Sequence, residues 1–137
     1  MYLEIKNLSK SISGKSILEH IDLEMDRGRI YGLRGKNGSG KTMLMRSICG
    51  LILPTEGTIC INGEILHKDI SFPRSIGALI ENPGFIAEYS GFKNLSTLAS
   101  IKKAVTTEEI RSLMQKMDLD PDDKKKFKKY SLGMKQK

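Results

Sequence analysis

Apolar and polar residues alternate at the start of the chain. Met1-Tyr2-Leu3-Glu4-Ile5 has the period of two that predicts a strand, over residues 2–7. The polar stretch from Ser9 to Ser16 is expected as a loop by its composition. Apolar spacing returns at Ile17, is clearest in Ile21-Asp22-Leu23-Glu24-Met25, and stops at a predicted turn, Asp26-Arg27-Gly28. Ile30-Tyr31-Gly32-Leu33 is a short apolar run, the pattern of a buried parallel strand. Leu44, Ile48 and Leu51 then fall at i, i+4 and i+7, which predicts a helix with Gly50 as its stop. Pro54-Thr55-Glu56-Gly57 predicts a turn, Thr58–Ile61 a strand, and Asn62-Gly63 a hairpin. Ser75–Ile80 reads as another buried strand, ending at Glu81-Asn82-Pro83-Gly84.

From Gly91 the period changes. Leu95, Leu98 and Ile101 have helical spacing, as do Ile110, Leu113, Met114 and Met117, with Thr107 before Glu108-Glu109 as a start signal. A mostly β part over residues 1–90 is therefore expected before a helical part over residues 91–137, with no internal repeat.

Between the Ile30–Leu33 run and the Leu44 helix lies Gly35-Lys36-Asn37-Gly38-Ser39-Gly40-Lys41-Thr42, which fits the phosphate-binding pattern G-x-x-x-x-G-K-[ST]. Backbone N–H groups can wrap a phosphate chain only where side chains do not block the approach, and the three glycines leave that path clear. Lys41 would place a cation on the β- and γ-phosphates, and the Thr42 hydroxyl would hold Mg²⁺. The helix that follows points its positive end at the same anion. An apolar run before the loop and a helical period after it are the context that separates this reading from a Gly-rich hairpin turn.

Composition narrows the class. The 137 residues suit one domain, and no apolar run approaches the roughly 18 residues of a membrane span. The N-terminus lacks the charged and apolar regions of a signal peptide, so a cytosolic location is the expectation. Cys49 and Cys60 have no metal-ligand spacing and are expected as buried, reduced thiols. The formal charge is +7, with lysines crowded into Lys124-Lys125-Lys126-Phe127-Lys128-Lys129. Such a run suggests nucleic acid or an anionic membrane, but a solvated face is the expectation, and no aromatic-rich RNA-binding pattern accompanies it. His20 and His67 are expected at the surface.

With these motifs in place, the whole chain resembles the ATP-binding subunit of an ABC transporter. The phosphate loop carries the resemblance first. Gly50-Leu51-Ile52-Leu53-Pro54-Thr55-Glu56-Gly57-Thr58-Ile59-Cys60-Ile61-Asn62-Gly63 is similar to that family's helix exit and β-subdomain. Ile76–Pro83 is similar to its Q-loop segment, and Tyr130-Ser131-Leu132-Gly133-Met134-Lys135-Gln136 to its signature motif L-S-G-G-Q. Glu81 stands at the Q-loop glutamine and Leu132 at the first signature glycine. Ile12 stands where the family stacks an aromatic on adenine, and Met43 where a second hydroxyl often touches the phosphates. Glu81 with S-L-G-M-K resembles the branch that exports or resists antimicrobial peptides of the bacitracin and lantibiotic kind.

The resemblance implies an α/β P-loop NTPase fold of the ABC ATPase type, incomplete. It would hold an N-terminal antiparallel β-subdomain with the phosphate-loop core (1–90) and the start of a helical subdomain (91–137). ATP and Mg²⁺ are the implied ligands. Gly35, Lys36, Asn37, Gly38, Ser39, Gly40, Lys41, Thr42, Met43 and Ile12 would contact the nucleotide, and Thr42 and Glu81 the metal. Lys41 and Glu81 are the residues implied in catalysis. Ser131 and Gly133 would grip ATP held by a second copy. The implied assembly is a homodimer bound to a transmembrane permease at the inner face of the cell membrane. The family's Walker B strand, catalytic glutamate, D-loop and switch histidine are not found in the sequence, so ATP binding without turnover is expected of these residues alone. A soluble ABC-type protein acting on nucleic acid or ribosomes is the alternative. Another phosphate-loop kinase or GTPase leaves residues 76–83 and 130–136 unexplained.

Overall fold

β1 (Leu3–Ile12) is the centre of an antiparallel sheet in the order β2-β1-β3-β4, with β2 Lys15–Met25, β3 Glu56–Ile61 and β4 Glu64–Ile65. The computed structural model describes residues 1–81, 84–103 and 105–137. Leu3 lies opposite Met25 on one side and Ile61 on the other, and Ile5 opposite Leu23 and Ile59. That register puts the alternating apolar positions of three strands on one face. Leu3, Ile5, Leu8, Leu18, Ile59, Ile61 and Leu66 form the core there, and Leu44 of helix α1 (Lys41–Ile48) joins it.

The polar stretch expected as a loop, Ser9–Ser16, is instead the tip of a hairpin. β1 continues to Ile12, which pairs with Lys15 across Ser13-Gly14, both at positive φ as a two-residue hairpin turn requires. Residues 11–16 are exposed, so nothing selects an apolar alternation and the strand signal is silent. The Asn62-Gly63 hairpin forms as its sequence predicts, and α1 ends as expected, with Gly50 N–H donating to Ser47 O at 3.0 Å. Leu51 lies beyond that end and is exposed.

Two expected buried strands do not form. Ile30–Leu33 and Ser75–Ile80 enter no sheet among the described residues; Ile30 is fully exposed and Leu79 is 76% exposed. An apolar run states that a segment can be covered, and these two have no strand beside them to supply the ladder. The expected turn residues Asn82 and Pro83 lie outside the described residues. Cys49 and Cys60 are free and only half-buried, and burial pushes the Cys49 thiol up. Both histidines are exposed, His20 with Nδ1 at 2.7 Å from Asn7 Oδ1.

The chain falls into two compact units, Met1–Asn82 and Pro83–Lys137. In the second, α2 (Gly91–Lys102) and α3 (Thr107–Lys116) are followed by a 3₁₀ turn at Phe127–Lys129 and the short α4 (Leu132–Gln136). α3 begins one residue earlier in its capping than expected: Thr106 is the cap, and Glu109 returns its side chain to the Thr106 N–H at 2.7 Å. Ile110 and Met114 are buried, whereas Leu113 and Met117 are exposed. On α2 the expected apolar stripe also turns outward at Leu98 and Ile101. The buried residue of that helix is Asn94, 4% exposed. It accepts from Ile86 N–H at 2.8 Å and donates to Ile86 O at 3.1 Å and Ser90 O at 3.2 Å. A fully partnered amide fastens the incoming chain, a task that leucine cannot do.

Candidate functional site

The loop from Gly35 to Thr42 is shaped by its own backbone. Ser39 N–H donates to Lys36 O at 3.2 Å, and Gly40 caps α1 in the left-handed conformation, φ +86°. A Cβ on Gly40 would stand 2.8 Å from both Ile17 O and Leu18 Cδ2, so the glycine is required by its conformation and by the close approach to β2. Lys41 folds across the loop, its Nζ donating to Gly35 O and Lys36 O, each at 2.7 Å, and lying 3.4 Å from Ser39 Oγ. One cation thereby gathers the carbonyls to one side and leaves the N–H side open.

α1 has no side-chain cap and no acidic residue in its first turn. Its first N–H groups and the positive end of its dipole are therefore available to an anion. They face a cavity of about 420 Å³ lined by Ile17, Asn37, Gly38, Ser39, Gly40, Lys41, Thr42 and Met43. Gly35 and Lys36 do not line it and act through their carbonyls on Lys41. Met43 divides its role, since it also packs on the sheet core. A larger cavity, about 580 Å³, lies between Tyr2, Met25, Tyr31 and Ile76 and contains none of the loop residues.

Ile12 sits at the hairpin tip, exposed and paired with Lys15, and does not line the loop cavity. Ile17 of β2 does. The sequence offered only its apolar character as a signal, because its place depends on β2 running beside the loop. Glu81 has φ +63° and an exposed carboxylate 3.4 Å from Arg46 Nη2. Arg46 is one turn along α1 from Thr42, on the same helix face.

In the second unit Ser131 caps α4, its Oγ accepting from Met134 N–H at 3.2 Å, and the position of a Cβ on Gly133 is open. The preceding basic run is only partly a free solvated face. Glu88 accepts from Lys126 at 2.7 Å and from Lys128, and these two ammonium groups hold its carboxyl down at about 2. Among the described residues no cluster of three or more His, Cys, Asp or Glu could hold a metal, and no helix is long and apolar enough to cross a membrane.

Comparison with known proteins gives a consistent result. The profile of the ABC transporter family matches residues 18–137. An ABC transporter ATP-binding protein of Bacillus subtilis is 47% identical over 98% of this chain and 62% of the relative. The bacitracin transport ATP-binding protein of Enterococcus faecalis is 35% identical over 98% of this chain and 44% of its own length. The lantibiotic transport ATP-binding protein of Streptococcus pyogenes is 35% identical over 98% of this chain and 58% of its own. A solved ATP-binding subunit of an ABC transporter superposes with a TM-score of 0.83 at 29% identity, over 99% of this chain and 58% of that one. The chain thus spans 44–62% of the length of these curated relatives.

Proposed function

We propose a function on one premise: the chain belongs to the ABC transporter family and has the fold of its ATP-binding subunits. Its residues bind ATP, and the full-length protein hydrolyses ATP to power a transporter that exports antimicrobial peptides or confers resistance to them. The observation that carries the binding is the uncapped, acid-free start of α1 facing a glycine-lined cavity with Lys41 at its rim. The relatives named for bacitracin and lantibiotic transport support the choice of branch.

The backbone of Asn37–Thr42 would wrap the phosphates, and Lys41 would exchange the carbonyls of Gly35 and Lys36 for phosphate oxygens without leaving its place. A hydroxyl on Thr42 and a carboxylate on Glu81 are hard oxygen donors that suit Mg²⁺, which takes one or two protein ligands and completes its shell with phosphate and water. Bound there, the ion would neutralise charge on the transferred phosphoryl group. Glu81 would have to exchange its single contact with Arg46 for that role. Ser131 and Gly133 would contact the γ-phosphate of ATP on a second copy, and a transmembrane permease would hold the pair at the inner face of the membrane. Nucleic acid is not assigned as a partner, since Glu88 already pairs with two lysines of the basic run.

Calorimetric titration with Mg-ATP tests the binding. Lys41→Ala should weaken it at least about tenfold, the scale of a lost charge-assisted hydrogen bond of about 1.5–3 kcal/mol. Equal affinity of the two proteins would refute the assignment of the phosphates to this loop.

A further inference from the structure

Residues 126–130 reach Ser131 along a short seam. Phe127 N–H donates to Tyr89 O at 2.8 Å, Lys128 N–H to Ala87 O at 3.1 Å, and Lys126 bridges Ser90 in antiparallel fashion. The Phe127 ring meets Phe85 edge-on at 5.0 Å. Gly91 N–H donates to the buried Tyr130 hydroxyl at 3.2 Å, and a Cβ on Gly91 would stand 2.5 Å from that oxygen. Tyr130 fixes the end of the seam nearest Ser131. At the other end the pin is Glu88, whose two carboxylate oxygens each take one ammonium, Lys126 on Oε2 and Lys128 on Oε1.

A seam of two backbone hydrogen bonds is marginal by itself, and five lysines between 124 and 129 repel one another across it. Exposed ion pairs add little to global stability. Their effect here is local: one carboxylate spans the two lysines that flank Phe127 and fixes the register of the segment that delivers Ser131. We infer that Glu88 is a positioning residue for Ser131, clamping Lys126 and Lys128 so that the serine is presented to a nucleotide on a second copy. The inference rests on the proposed role of Ser131.

The test uses the full-length protein and two readouts, Mg-ATP affinity and Mg-ATP-dependent self-association by sedimentation velocity. Glu88→Gln should weaken association roughly five- to tenfold, the scale of two exposed charge contacts acting together, with Mg-ATP affinity unchanged. The Lys126→Met, Lys128→Met double variant should have the same effect, and the triple variant no more than either. Glu88→Asp, which keeps the charge, should recover part of the loss. Amide exchange at Ile110 and Met114 should match the unsubstituted protein in every variant; faster exchange there would mean a general loss of structure and overturn the positioning role. If Ser131→Ala weakens association while Glu88→Gln does not, the inference fails and the role of Ser131 stands. If Ser131→Ala has no effect, the role of Ser131 fails and the inference with it.

Discussion

Gly40 and Gly63 share a left-handed backbone, φ +86° at each, but differ in their surroundings. A Cβ on Gly63 would meet nothing within 4 Å, whereas on Gly40 it would meet the Ile17 carbonyl and the Leu18 methyl at 2.8 Å. Gly63→Ala therefore isolates the conformational penalty, about 1–2 kcal/mol. Gly40→Ala adds the overpacking of a backbone oxygen that cannot turn aside, about 1–3 kcal/mol more. In a cooperative unit the size of Met1–Asn82, that difference should place the melting temperature of Gly40→Ala on the order of 10 °C below that of Gly63→Ala. Thermal unfolding followed by circular dichroism, without nucleotide, reads both. Equal shifts would refute the reasoning, because they would mean that the loop is not seated against β2 in solution. Added Mg-ATP should narrow the gap only if the variant loop still binds.

Two further outcomes follow from the helical unit. Asn94→Leu fits the volume but strands the Ile86 N–H, while Ile86 O keeps the Tyr89 N–H at 3.1 Å, and should destabilise by about 1–3 kcal/mol in urea unfolding; a change below about 0.5 kcal/mol would show that water replaces the amide. The folded Glu88 carboxyl is held at about 2 against an ordinary 4.5, so its contribution is present above pH 4.5 and is lost as pH falls towards 2. The difference in amide protection at Phe127 and Lys128 between the unsubstituted protein and Glu88→Gln should close over that window and shrink in high salt, and a difference that persists at pH 2 would contradict the pairing.

What the sequence determined by itself was short in range. The phosphate loop, the helix after it and its Gly50 stop, and the Asn62-Gly63 hairpin are each written within a dozen residues, because a positive φ, a missing Cβ or an i-to-i+4 hydrogen bond is a local matter. The class of the chain was legible for the same reason, through residues 35–42, 76–83 and 130–136. Tertiary structure decided the rest. It set Ile17 rather than Ile12 beside the loop, gave Glu81 to Arg46, turned Leu98 and Ile101 outward while burying Asn94, and joined Glu88 to lysines 38 and 40 residues away. It also left Ile30–Leu33 and Ser75–Ile80 outside any sheet of the described residues. A strand is completed by its neighbour and a buried face by whatever covers it, so neither can be read from the segment alone.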